Sequence, residues 1–122
     1  MSDLLNALDA AKDALTEARK KIAQGWTRGT KADDQSGRRV PPTHPDAVCW
    51  CMSGALEAVI DDPHVMKYAR FRLIETKPSP PPDFVCPQGA TVVSVEAIND
   101  WYLKDQADAL AWIDRAIARE YP

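Results

Sequence analysis

Leu4, Leu8, Ala11, Leu15, Ala18 and Ile22 follow one another at intervals of four, three, four, three and four. That spacing lays apolar side chains along one face of an α-helix and predicts a first helix from about Asp3 to Ala23. Ser2 or Asp3 can cap its free N–H groups, Arg19-Lys20-Lys21 puts cations in its last turns, and Gly25 is a natural stop. From Trp26 the period changes. Trp26, Arg28, Thr30 and Ala32 alternate with Thr27, Gly29 and Lys31, and Asp33-Asp34-Gln35-Ser36-Gly37 is a turn cluster leading into Arg38-Arg39-Val40. The pattern predicts a short β-hairpin or extended arm over Trp26–Val40, anchored on the helices by Trp26 because two strands alone are marginal in water. Pro41-Pro42-Thr43-His44-Pro45 then forbids regular structure.

A second apolar face, Val48, Met52, Ala55, Leu56 and Val59, predicts a central helix opening at Pro45 or Asp46 and lasting to about Ile60. Ser53 and Gly54 form a small-residue notch within it. Glycine inside a helix costs about 1 kcal/mol against alanine, so Gly54 implies a close backbone approach or a function. Asp62 as N-cap and Pro63 at the first helical position open a third helix, from His64 to about Ile74, with Val65, Met66, Ala69 and Leu73 inward. Lys77-Pro78-Ser79-Pro80-Pro81-Pro82-Asp83 is a polyproline-like connector, and Phe84-Val85-Cys86-Pro87 is expected to tuck back onto the core. Thr91–Asn99 fits both a strand and a short helix, and the helix is preferred. Asp105 caps a last helix with Ala109, Leu110, Trp112, Ile113, Ala116 and Ile117 on its apolar face, ending near Glu120. The sum is a mainly α (α+β) fold: a single domain over residues 1–122, of about four to five helices with a small β-hairpin after the first.

Composition adds limits. At 45% hydrophobic and 27% charged residues in 122 positions, the chain has the make-up of an ordinary globular domain that buries a core without disulfides or metal. No apolar run approaches the roughly 18 residues of a membrane span, and the N-terminus lacks a signal-peptide pattern, so a cytoplasmic protein with reduced cysteines is expected. Residues 1–40 carry a net charge of +2 and residues 41–122 one of −5. Only Arg19-Lys20-Lys21 and Arg38-Arg39 cluster, too little for the basic surface that phosphate binding requires, so nucleic acid is not an expected partner.

Trp26-Thr27-x-Gly29, the turn ending in Gly37, Asp46-Ala47-Val48-x-Trp50-Cys51-x-x-Gly54-Ala55-Leu56, Asn99-Asp100 and Leu110-x-x-x-Asp114-x-Ala116-Ile117 stand out as a set. Together they resemble a family of small uncharacterised bacterial and phage proteins with a W/F-C-x-x-G-A-L core and a later Asn-Asp pair. The resemblance covers nearly the whole chain and implies a shared fold and phage or prophage association, but no catalytic residues. The proline-rich insert around Pro80 departs from that pattern.

Three groups of residues are candidates for chemistry. Cys51, with His44 or His64 and Asn99 or Asp100, has the ingredients of a Cys-His-Asn hydrolase, since an imidazole and a helix N-terminus stabilise a thiolate. A helix starting at Asp46, however, would put Cys51 more than a turn inside, beyond most of the dipole's reach, where a core cysteine is favoured. His44, Cys49, Cys51, His64 and Cys86 could supply soft metal ligands. Cys-x-Cys on a helix points its sulfurs to different faces, so no metal is expected. No other cofactor is implied. Asn99-Asp100-Trp101 could hold a polar ligand, although Asn and Asp more often end helices and form turns. Four tryptophans exceed what a minimal core needs and are enriched where proteins meet partners. The expected function is therefore a non-enzymatic binding or accessory protein. Its contact patch would draw on Trp26, Arg38, Arg39, Trp50 and Trp101, with Trp50 projecting off the core face, and its partner would be a protein, a second copy of the chain included. A cysteine-dependent hydrolase is the alternative.

Overall fold

The computed structural model describes residues 2–82, 84 and 94–121. Among them lie five helices and one two-stranded antiparallel sheet in the order α1 (Ser2–Gln24), β1 (Ala32–Asp33), β2 (Cys49–Trp50), α2 (Met52–Val59), α3 (Pro63–Glu75), α4 (Val95–Trp101) and α5 (Gln106–Ala118). The mainly helical architecture expected from the periodicity is the one observed. The side chains of Ser2 and Asp3, on which the expected capping rests, and the path of residues 85–93 lie outside what the structure describes.

At 23 residues α1 is about 35 Å long, and it packs against α2, α3 and α5. Leu8, Ala11, Leu15, Ala18 and Ile22 are buried along this seam, whereas Leu4 is exposed at its N-terminal end. The chain is thus organised around α1 rather than around the expected central helix. Asp62 and Pro63 open α3 as their chemistry requires, Asp62 Oδ1 accepting from the His64 N–H at 2.9 Å. Ala69 and Leu73 are buried in it, and Val65 and Met66 half-buried. Asp105 caps α5 through the Asp108 N–H at 2.9 Å, and that helix ends at Ala118, two residues before the expected end.

Other helix ends are closed by side chains from distant elements. Gln106 Nε2 donates to the Ile22 carbonyl at 2.8 Å and so covers the C-terminus of α1. Arg72, fully buried beside Leu73, donates to the carbonyls of Ala116 (3.0 Å), Ile117 (3.1 Å) and Arg119 (2.6 Å). Its charge thereby meets the negative end of the α5 dipole. Arg72 lies three residues after Ala69 on the inward face of α3. No carboxylate pairs with it among the described residues.

The main correction concerns residues 45–51. Pro45 or Asp46 was expected to begin the central helix, but the chain turns at Pro45–Asp46, runs extended from Val48 to Cys51, and α2 begins only at Met52. Val48, placed inward by the helical pattern, is 45% exposed. What competes is pairing with residues far away in sequence: the Val48 N–H donates to Asp33 O (2.9 Å), that of Trp50 to Gly25 O (3.0 Å) and that of Cys51 to Lys31 O (3.1 Å). The first strand of the expected hairpin therefore takes a different main partner. Ala32 lies opposite Trp50, and Asp33 opposite Cys49. The reversal at Asp34–Gly37 does form, with Gly37 at φ 82° and the Asp34 carboxylate accepting the N–H groups of Ser36 and Arg38, both at 2.9 Å. Beyond the turn only a bridge of Asp33 with Arg39 returns along β1.

The proline connector has no regular structure from 77 to 81, and Phe84 packs edge-on against Tyr102, with ring centroids 5.2 Å apart. The expected tuck thus holds for Phe84, while Val85, Cys86 and Pro87 lie outside the described residues. The preference for helix ahead of Asn99 is correct over α4, with Ser94 as its N-cap. Among the described residues, no helix is long and apolar enough to cross a membrane.

Candidate functional site

The extended segment before α2 leaves an open cleft of about 510 Å³ between loop 29–32, segment 39–42 and one face of α4. Cys51 lies in its wall, and Glu96 and Asp100, one helical turn apart, line the α4 side. Lys31 and Arg39 supply positive charge, while Ala32, Val40, Pro41 and Pro42 form an apolar strip.

Loop 29–32 is held against α2 by a backbone contact that needs Gly54. A Cβ on Gly54 would lie 1.8 Å from the Lys31 carbonyl oxygen, the same oxygen that accepts the Cys51 N–H. The notch read from Ser53-Gly54 is thus a close approach of two backbones. Beside it Ser53, fully buried, donates to Glu96 Oε2 (2.9 Å) and accepts from Arg70 Nη2 (2.8 Å). Arg70 also pairs with Glu96 at 3.0 Å, and Lys31 with Glu57 at 2.6 Å. Burial works against ionisation of Glu96. Its own backbone N–H, the Ser53 hydroxyl and the Arg70 guanidinium outweigh that cost and hold its carboxyl below the ordinary range.

Asn99 joins three elements. Its side chain is fully buried; its Oδ1 accepts from Trp26 Nε1 (2.8 Å) and the Met52 N–H (3.0 Å), and its Nδ2 donates to Thr27 O (3.2 Å) and Asp100 Oδ1 (3.1 Å). Met52 is the first residue of α2, whose N–H has no partner within the helix. Asn99 is therefore neither a turn residue nor a free ligand group but a bracket linking α4, the Trp26 segment and α2. Asp100 Oδ1 also accepts the Gly29 N–H at 3.0 Å, fixing the loop at the cleft mouth.

Cys51 does not lie inside a helix, as the periodicity implied, but is the N-cap of α2, its Sγ accepting from the Gly54 N–H at 3.3 Å. That position would favour a thiolate, yet the side chain is only 4% exposed. Burial pushes the thiol up, and the carboxylates of Asp100 and Glu96 add to the rise against the hydrogen bonds from Gly54 and Ser53. The other expected catalytic partners are elsewhere. His44 Nδ1 accepts the Asp46 N–H at 3.0 Å, His64 stacks on Tyr68 with centroids 6.4 Å apart, and neither lines the cleft. We expect Cys51 to react with a disulfide reagent at neutral pH at least about tenfold more slowly than free cysteine. Thiol titration of the parent and of Cys51→Ser checks this, and a fast phase lost in Cys51→Ser would contradict it.

Cys49 and Cys51 are free thiols. Among the described residues no three His, Cys, Asp or Glu side chains are brought together to hold a metal, and Cys86 lies outside them. Of the aromatic candidates, Trp50 is 2% exposed and donates to Pro42 O at 3.0 Å, so it lies in the core and braces Pro42 at the cleft rather than projecting off the core. Trp26 is half-buried, with Arg28 over its ring at 5.2 Å. Trp101 is 47% exposed next to Phe84, their centroids 6.1 Å apart. Arg38 and Arg39 are exposed, and only Arg39 reaches the cleft. Sequence reasoning missed Glu96, Arg70 and Lys31, and read Ser53 only as part of the notch. The spacing of Glu96 and Asp100, four apart on a predicted helix, was the available signal.

A small, mainly helical domain whose extended segments border an open cleft of mixed charge is the class these features define. The chain belongs to the Family of unknown function (DUF6197), whose model matches residues 6–119. No curated protein and no solved structure matches it.

Proposed function

We propose that this chain is a non-enzymatic binding or accessory protein and that the cleft between loop 29–32, segment 39–42 and α4 is its binding seat. The observation that carries this reading is the character of the groups facing the cleft. Charges of both signs border an apolar strip, which recognises shape and polarity, while the nucleophile beside them is a buried thiol with its pKa pushed up. The cysteine-hydrolase alternative requires an imidazole at Cys51, and neither histidine lines the cleft. The occupant in this proposal is a segment of a protein partner, with a second copy of the chain as one candidate. Arg38 at the hairpin tip and exposed Trp101 would extend the contact. The family resemblance described above adds phage or prophage association to the proposal.

Among the described residues Arg38 pairs only with Asp34, at 3.3 Å, and its own side chain stands largely in solvent, so replacing it costs little stability. Arg38→Ala with Arg39→Ala should melt like the parent but lose capture of the specific partner, and the parent's own capture should weaken with salt. Affinity capture by both proteins over a salt series is the measurement. A double variant that retains every partner at all salt concentrations would remove this reading.

A further inference from the structure

The charged groups at the cleft do not all stand equal. Lys31 is paired with Glu57, and Glu96 with Arg70 and Ser53. Arg39 takes part in no ion pair among the described residues. Asp100 accepts only from neutral N–H groups, those of Gly29 and Asn99. The Arg28 guanidinium donates to the carbonyls of Leu103 (2.7 Å), Lys104 (3.0 Å) and Asp100 itself (3.5 Å) and makes no ion pair with the Asp100 carboxylate. Among the described residues one positive and one negative group thus have no ion-pair partner, with the apolar strip of Ala32, Val40, Pro41 and Pro42 in the same cleft.

We infer that the cleft takes a short zwitterionic peptide, its carboxylate on Arg39 and its ammonium on Asp100. This inference rests on the reading of the cleft as a binding seat and narrows its occupant from a segment of a protein partner to a short peptide with both termini free. A purely acidic ligand would satisfy Arg39 and be repelled by Asp100 and Glu96; a purely cationic one would meet the reverse. Only a ligand bearing both signs neutralises both groups, and each contact is then a charge-assisted hydrogen bond. The volume, about 510 Å³, falls in the roughly 300–1,000 Å³ range of small-ligand sites and admits a few residues of extended chain rather than a folded domain.

The test uses the full chain, ¹⁵N-labelled, titrated with tri-alanine carrying both free termini and with its N-acetyl and N-acetyl, C-amide forms. Tri-alanine should shift the amides of loop 29–32 and Val40, and each cap should weaken binding about tenfold, the scale of one lost charge-assisted contact. Arg39→Gln and Asp100→Asn should each weaken it about tenfold as well. Asp100→Asn keeps an oxygen for the Gly29 N–H, and Arg39 is exposed, so both variants should melt like the parent. Equal binding of the doubly capped peptide, or no binding of any of the three, overturns the inference. If partner capture still depends on Arg39 in that case, the binding reading stands and only its zwitterionic chemistry falls.

Discussion

Gly54→Ala is expected to destabilise the protein by about 3 kcal/mol or more, and to lower the melting temperature by about 10 °C. The added methyl would sit 1.8 Å from the Lys31 carbonyl oxygen, far inside van der Waals contact, and what it meets is backbone. Relief by moving the loop would break the Cys51 N–H bond to that carbonyl and pull β1 from β2. Gly37→Ala makes the comparison. Gly37 has open space around it and a φ of 82°, so its cost is only the left-handed strain of about 1–2 kcal/mol. Thermal melts of the two variants beside the parent decide the matter, and a Gly54→Ala protein as stable as Gly37→Ala would show that the two backbones do not approach closely.

The second large effect is expected at Asn99. Leucine there has a similar size but neither donor nor acceptor, so Trp26 Nε1 and the Met52 N–H lose their shared acceptor inside the protein. An unsatisfied buried donor costs about 1–3 kcal/mol, which puts Asn99→Leu at about 3 kcal/mol or more. Asn99→Asp separates the bracket from the volume it fills. It keeps an oxygen for both donors but sets a carboxylate against Asp100 Oδ1, 3.1 Å from the present nitrogen. The repulsion raises the folded-state pKa of the new carboxyl above its unfolded value of about 3.9. Its loss of stability should therefore be small in acid and grow as pH rises from about 4 through the raised pKa. Chemical denaturation of both variants at several pH values is the check. A pH-independent Asn99→Asp penalty equal to that of Asn99→Leu would mean that Asp100 does not face this position.

Little of the cleft was legible in the sequence. Cys51 and Asp100 were grouped as candidates for a hydrolase site and Arg39 for a contact patch, and nothing in their spacing says that all three share one opening. Asn99 and Trp50 were noticed for chemistry and recognition, and both proved to be structural: Asn99 as a buried bracket, Trp50 as a buried brace behind Pro42. The reason is burial. Whether a polar or aromatic side chain is satisfied from within or left facing solvent depends on partners outside its own element, Trp26 for Asn99 and Pro42 for Trp50.

Local chemistry by itself determined the helices. The three-and-four spacing of Leu8 to Ile22, the Asp62-Pro63 start and the Asp105 cap act within one or two turns, where neighbours along the chain are also neighbours in space. Val48 to Leu56 defeated the same logic, because a residue four before Met52 matches a helical face whether or not the intervening backbone is helical. Only the tertiary structure decided that segment, by offering Gly25, Lys31 and Asp33 as hydrogen-bond partners for Val48, Trp50 and Cys51. The extended conformation, the N-cap position of Cys51 and the cleft all follow from that competition, in which long-range backbone pairing outweighs a local periodicity.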